Sequence, residues 1–263
     1  MRKNRLFATL LVVALCTTTV FASCNRNDET GVQYEVRKLP SRIVLTFDDN
    51  RTRIWTFEYD SQNRLTKLTN CWLGTIRIEY DTNNRILRTT HTTHWGSEVR
   101  TFQYVGNNLI IISSEQGTRR ITLNANGQMI RNEWERAEDA DDEGGRTLCE
   151  FTYTDGNLTE RILHVSFGGF RRYAYSNVLN VFRNATSPEW LIYFLSPDFF
   201  PPSRYMLSKL IHSFGETAKS TFAHQTDTDG YVTSSKIIST TIWGSEIIGE
   251  HKMTMTFEYI LAN

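Results

Sequence analysis

From Arg42 onward, apolar and polar residues alternate in short runs, and the runs repeat. Phe57-Glu58-Tyr59 leads to Asn63-Arg64-Leu65, and Ile76-Arg77-Ile78-Glu79-Tyr80 leads to Asn84-Arg85-Ile86. Fainter copies run from Phe102-Gln103-Tyr104 to Asn108-Leu109, from Ile121-Thr122-Leu123 to Gly127-Gln128-Met129, and from Phe151-Thr152-Tyr153 to Asn157-Leu158. A period of two sets one apolar face against one polar face, which is the signature of a half-buried strand. Four residues beyond each Tyr or Leu stands Asn or Gly, the residues that tolerate positive φ. Asn63, Asn84, Asn108, Gly127 and Asn157 are therefore assigned to left-handed turn positions, and each unit of about 20–24 residues reads as a β-hairpin.

The pattern breaks once. Ser187-Pro188-Glu189 followed by Trp190-Leu191-Ile192-Tyr193-Phe194-Leu195 carries a capping Ser, a Pro at the first helical position and an acid in the first turn. A short helix is predicted there, stopped at Ser196-Pro197 and followed by the aromatic loop Asp198–Pro202. Strand patterns resume at Leu207–Ser213, Lys219–His224, Val232–Thr241 and Met253–Ile260. A half-polar sheet must hide its apolar face. The expectation is an all-β fold: a curved antiparallel meander of repeated hairpins, as a half-barrel or extended sheet, with the 188–202 insertion packed on its concave face.

Composition narrows the class. In 263 residues there are 29 basic and 29 acidic side chains, 40% hydrophobic residues, and only 5 Pro. That excludes disorder and a polybasic nucleic-acid binder. Residues 1–23 have Arg2, Lys3 and Arg5, an apolar run Leu6–Cys16, and a small-residue end at Ala22-Ser23. This is the layout of a secretory signal, too short to span a bilayer. Its loss removes three basic residues and no acid, leaving a slightly acidic chain. Residues 24–33 read as a tether and 34–263 as one domain.

Ala22-Ser23-Cys24 resembles the lipobox of bacterial lipoproteins, which implies that Cys24 is diacylated and becomes the membrane anchor. Asn25 is not the Asp associated with inner-membrane retention, and Asn27-Asp28-Glu29 resembles the acidic tether of surface-exposed Bacteroidetes lipoproteins. The resemblance implies the outer membrane, lipid-anchored. The units Tyr59-Asp60-x-x-Asn63-Arg64-Leu65 and Tyr80-Asp81-x-x-Asn84-Arg85-Ile86 are similar to the YD repeats of Rhs-type bacterial proteins. With the lipobox and the aromatic insertion, the chain resembles a Bacteroidetes lipoprotein family of uncharacterised function. That implies a hairpin fold and an envelope location, and transfers no catalytic residue.

Candidate chemistry is sparse. Asp139, Asp141, Glu143 and Glu150 fall at positions one, three, five and twelve of a calcium-loop template, with Gly144 at six. Arg146 occupies the position of the usual hydrophobe, and 147–153 reads as strand, so a solvated acidic hairpin loop is preferred over a calcium site and no cofactor is expected. Asp227-Thr228-Asp229-Gly230 reads as an Asp-Gly turn. His91 and His94, three apart in a strand, point to opposite faces and do not share a metal. No nucleophile elbow, phosphate loop or dinucleotide fingerprint is present. Cys71 and Cys149 remain after Cys16 and Cys24 are set aside, and the sequence leaves open whether they form a disulfide. Trp95-Gly96-Ser97-Glu98 repeats as Trp243-Gly244-Ser245-Glu246, with a looser copy at Trp72-Leu73-Gly74. All three belong at one end of a meander, where Trp72 and Trp95, two strands and about 10 Å apart, would form a ledge for a glycan. The preferred reading packs each Trp over its neighbouring strand, with the Gly making the turn. Together these features favour a non-catalytic envelope module that binds a glycan or an envelope protein, with no nucleic-acid partner. A carrier of an apolar ligand is the second reading and a glycan hydrolase the third.

Overall fold

The computed structural model describes residues 36–71, 74–136, 147–164, 168–195, 200–214 and 216–263. Cys24 and the 24–33 tether lie outside them. Arg37–Asn263 forms one compact unit. Its strands are β1 (Lys38–Phe47), β2 (Thr52–Tyr59), β3 (Leu65–Asn70), β4 (Gly74–Tyr80), β5 (Ile86–Thr93), β6 (Gly96–Val105), β7 (Leu109–Ser114) and β8 (Gly117–Leu123). They continue as β9 (Met129–Arg136), β10 (Thr147–Thr154), β11 (Asn157–His164), β12 (Gly169–Leu179), β13 (Tyr205–Phe214), β14 (Glu216–Thr226), β15 (Val232–Trp243) and β16 (Glu246–Leu261). The helix among the described residues, α1 (Glu189–Leu195), lies between β12 and β13.

Each strand pairs antiparallel with the next, as the hairpin pattern requires. The half-barrel or extended sheet is corrected in one respect: β1 pairs with β16 from Lys38↔Leu261 to Phe47↔Met253, and the sheet is a closed barrel. Closure satisfies the two rows of backbone groups that an open sheet leaves exposed at its edges. Lys38 braces the seam. Its ammonium lies 2.8 Å from Asp227 and 2.7 Å from Asp229, and its N–H donates to the Tyr231 hydroxyl.

The turns explain the repeat. In residues 60–64 the Asp60 N–H donates to the Arg64 carbonyl, while Asp60 Oδ1 accepts from the N–H groups of Gln62 and Arg64. Asn63 takes φ +61°. Asp81, Asn124 and Asp227 start turns with the same carboxylate or amide bonds, completed by Asn84 (+65°), Gly127 (+76°) and Gly230 (+77°). Asn108 and Asn157 do not adopt positive φ, because their turns are shorter. Val105 pairs with Leu109 around Gly106, and Thr154 pairs with Asn157 around Asp155-Gly156, where both central residues have positive φ as a two-residue hairpin turn demands.

The Tyr of each phrase has a separate task. Tyr59, Tyr80, Tyr153, Tyr175 and Tyr259 donate to the carbonyls of Pro40, Leu65, Met129, Leu158 and Val232, and Tyr104 accepts from the Ile86 N–H. Each hydroxyl thus ties one hairpin to an earlier one near the same barrel end. Burial pushes Tyr80 up to about 12.

The two faces of the barrel differ. Outside, Arg88–Glu79, Lys67–Glu58, Arg120–Glu135 and Arg172–Glu160 cross between neighbouring strands as exposed ion pairs. Inside, Ile43, Leu45, Leu65, Ile86, Ile110, Ile121, Met129 and Leu158 are fully buried. A barrel of this size leaves a channel unless something fills it. Here α1 and its flanks fill it: Trp190, Leu191, Tyr193 and Phe200 belong to the same core cluster as the wall residues. Phe200 meets Trp55 edge-on, Phe182 meets Phe57, and Tyr193 meets Phe151. The insertion expected on the concave face is a plug.

Candidate functional site

Strand alternation gives the barrel two ends. The tyrosine turns, the start of β1, the end of β16 and the entry of the plug share one end. The other carries the turns after β1, β3, β5, β7, β9, β11, β13 and β15. Trp95, in the β5–β6 turn, and Trp243, the last residue of β15, both stand at this second end, as their spacing predicts. Trp72 lies outside the described residues.

Trp95 is 87% exposed and Trp243 59% exposed, so neither packs over a neighbouring strand. The Trp95 N–H donates to Thr93 Oγ1, and the His94 ring sits 4.0 Å from the indole centre. Beside Trp243, Ile247 and Ile248 are also exposed. The strand order β5-β4-β3-β2-β1-β16 separates the two hairpins by about 24 Å of wall, so Trp95 and Trp243 are distinct points on a rim, not one ledge. Gly74, next to the third position, must be glycine: with φ +82°, a Cβ there would lie 2.2 Å from the Thr92 carbonyl oxygen.

The other sequence candidates separate. Cys71 is exposed after β3, while Cys149 is buried in β10, and both thiols are free. In this structure they lie apart in environment, Cys149 facing the lumen and Cys71 exposed. Asp139, Asp141 and Glu143 lie outside the described residues. Glu150 is a β10 strand residue hydrogen-bonded to His164 at 2.9 Å, and no cluster of three or more His, Cys, Asp or Glu side chains suited to a metal occurs among the described residues.

Below the tryptophan rim the lumen changes character. Residues directly opposite in an antiparallel pair share a face. Arg100 is opposite Thr89, Arg119 opposite Ile112 and Trp134, Asn132 opposite Ile121 and Cys149, and Arg161 opposite Phe151. Since Thr89, Ile112, Ile121, Cys149 and Phe151 are buried, all of these point inward. Phe194, at the far end of α1, lies beneath them, with the Arg119 and Arg100 guanidinium carbons 5.1 and 5.9 Å from its ring centre. Glu98 pairs with Arg100 at 2.6 Å. Burial opposes ionisation of Glu98, yet the bonds from Arg100 and Ser114 hold it below the usual carboxylate range. Burial, reinforced by repulsion from Arg100, lowers Arg119. Sequence inspection missed this group because its members come from β6, β8, β9, β10 and β11 with no local motif.

No protein-family model matches the sequence, and no curated protein matches it. Among solved structures, a porin-like protein from Bacteroides uniformis is 16% identical, with a TM-score of 0.44 over 84% of this chain and 96% of that one. A chain of the TcdB2-TccC3-Cdc42 complex is 11% identical, with a TM-score of 0.25 over 76% of this chain and 13% of that one. These likenesses are too loose to bear on what the chain does.

Proposed function

We propose that the protein is a non-catalytic binding module of the cell envelope, held to the outer membrane by lipidated Cys24 and presenting its tryptophan rim to a glycan or protein ligand. The observation that carries this is the reversed polarity of the barrel. A membrane-spanning barrel shows lipid an apolar band and keeps a polar lumen, whereas this one has charged pairs outside and a plugged apolar core inside. Such a barrel neither spans nor conducts, so attachment must come from elsewhere, and the signal-like segment ending at Cys24 supplies it. The apolar-carrier reading needs an open concave face, and Trp190, Leu191 and Phe200 occupy that face.

The rim supports binding because two large aromatic side chains are left in water, where packing gives no reason for them. A glycan array with the intact protein tests the reading. Binding that falls at least tenfold in Trp95→Ala or Trp243→Ala is expected. Turnover of a glycan or peptide, abolished by a single carboxylate substitution, would replace the module with an enzyme.

A further inference from the structure

The arginines in the upper lumen are poorly compensated. Glu98 is committed to Arg100, which leaves Arg119 resting on the face of Phe194 with no ion pair among the described residues. Further round the wall, Arg161 donates to Cys149 Sγ at 3.4 Å, a weak acceptor, while its Nε is buried without a hydrogen-bond partner. Asn132 Oδ1, between these strands, is buried and unpartnered as well. Buried polar groups are normally satisfied, and partly buried cations normally have counter-charges. By the same register Arg171, opposite Arg161, points inward too, so among the described residues of β6, β8, β11 and β12 four inward arginines face one inward carboxylate, Glu98. Between Glu98, Arg100, Arg119 and Trp134, above Phe194, lies an unfilled crevice of about 50 Å³. It has room for a small oxyanion or a few waters.

We propose that this crevice is an oxyanion site, in which Arg119 and Arg100 receive the carboxylate, sulfate or phosphate of a ligand entering from the tryptophan end. Guanidinium forks match planar and tetrahedral oxyanions with paired N–H donors, and a partly desolvated setting strengthens the contact. Trp134 forms one wall, placed to stack on the body of a ligand that carries such a group. Phe194 forms the floor, so the plug that closes the barrel also sets the depth of the site. Glu98 fixes Arg100 but opposes an incoming anion, which gives the site a testable sign. The proposal deepens the binding-module reading and rests on it for the entry side, yet it uses residues apart from Trp95 and Trp243 and can fail separately.

The test is calorimetric titration of the full-length protein, at fixed ionic strength, with inorganic phosphate, sulfate, glucuronate and glucose. Saturable binding of at least one oxyanion and none of glucose is expected. Arg119→Gln should weaken it at least tenfold, Glu98→Gln should tighten it severalfold, and Arg88→Gln, which loses an outer-face cation, should leave it unchanged. Glucuronate binding most tightly would identify an acidic sugar, and phosphate or sulfate binding most tightly would identify an inorganic or esterified anion. Equal binding of glucose, no binding of any oxyanion, or a Glu98→Gln variant that binds more weakly would overturn the site. Its variant of opposite sign keeps the test decisive if Arg119→Gln does not fold. Oxyanion binding lost while Trp95→Ala still abolishes glycan binding would sink the crevice alone.

Discussion

Asp60, Asp81 and Asp227 are held ionised by their own turns. For Asp60, burial works against the charge, but the N–H groups of Arg64 and Gln62 and the Arg64 guanidinium outweigh it and lower the carboxyl. Asp81 is lowered chiefly by the Arg85 N–H, and Asp227 by Lys38 and Tyr231 against burial. A carboxyl lowered in the folded state contributes stability above its unfolded value, and that contribution fades as pH falls through the folded one. Stability should therefore decline below about pH 4, and Asp60→Asn should lose less than the parent between about pH 5 and pH 3 in urea titrations. Asn124 makes the same backbone bonds without charge, so the variant keeps its turn. Asn84 gives a second prediction. At φ +65°, Asn84→Val forces a branched side chain into the left-handed region and should cost about 1–2 kcal/mol, while Asn84→Gly should be neutral or mildly stabilising. Equal melting of the two variants would contradict the turn assignment. The sequence showed three of these left-handed positions and misplaced Asn108 and Asn157, since spacing from the Tyr does not reveal loop length. It also passed over Asn50, at φ +65° in the β1–β2 turn, because that turn lies at the opposite end from the tyrosine phrase.

At the scale of elements, the plug is what separates this barrel from an open one. Its start was legible: Ser187, Pro188 and Glu189 are in the expected order before the helix, and the helix is Glu189–Leu195. Its docking was not, because that depends on partners 100 or more residues away in sequence. Ser187 Oγ accepts from the Leu65 N–H at 2.7 Å and meets the Tyr80 hydroxyl at 3.1 Å. Ser187→Ala should therefore cost about 1–3 kcal/mol by stranding a buried donor at the start of β3. Trp190 is buried against the wall, and Trp190→Ala should cost about 3–5 kcal/mol, both measured by chemical unfolding. Smaller losses from both would mean that the plug is a loosely held appendage. The arginine crevice escaped the sequence for the same reason, since only the register brings Arg100, Arg119 and Trp134 to one place.

For the whole molecule, alternation in the sequence correctly gave one polar and one apolar face, but both readings of that pattern, open sheet and closed barrel, bury the same residues. Closure is decided by β1 meeting β16 and by Lys38 reaching across the seam to Asp227 and Asp229, contacts 189 or more residues apart. Once closed, the barrel turns ion pairs such as Arg88–Glu79 and Arg120–Glu135 outward. The proposed anchoring makes Cys24 the attachment of this barrel to the membrane. Detergent phase partitioning of the Cys24→Ala protein tests this most directly. The variant should move wholly to the aqueous phase, folded and monodisperse, while the parent stays with detergent. A Cys24→Ala protein that still enters the detergent phase like the parent would contradict both the anchor and the polar outer wall.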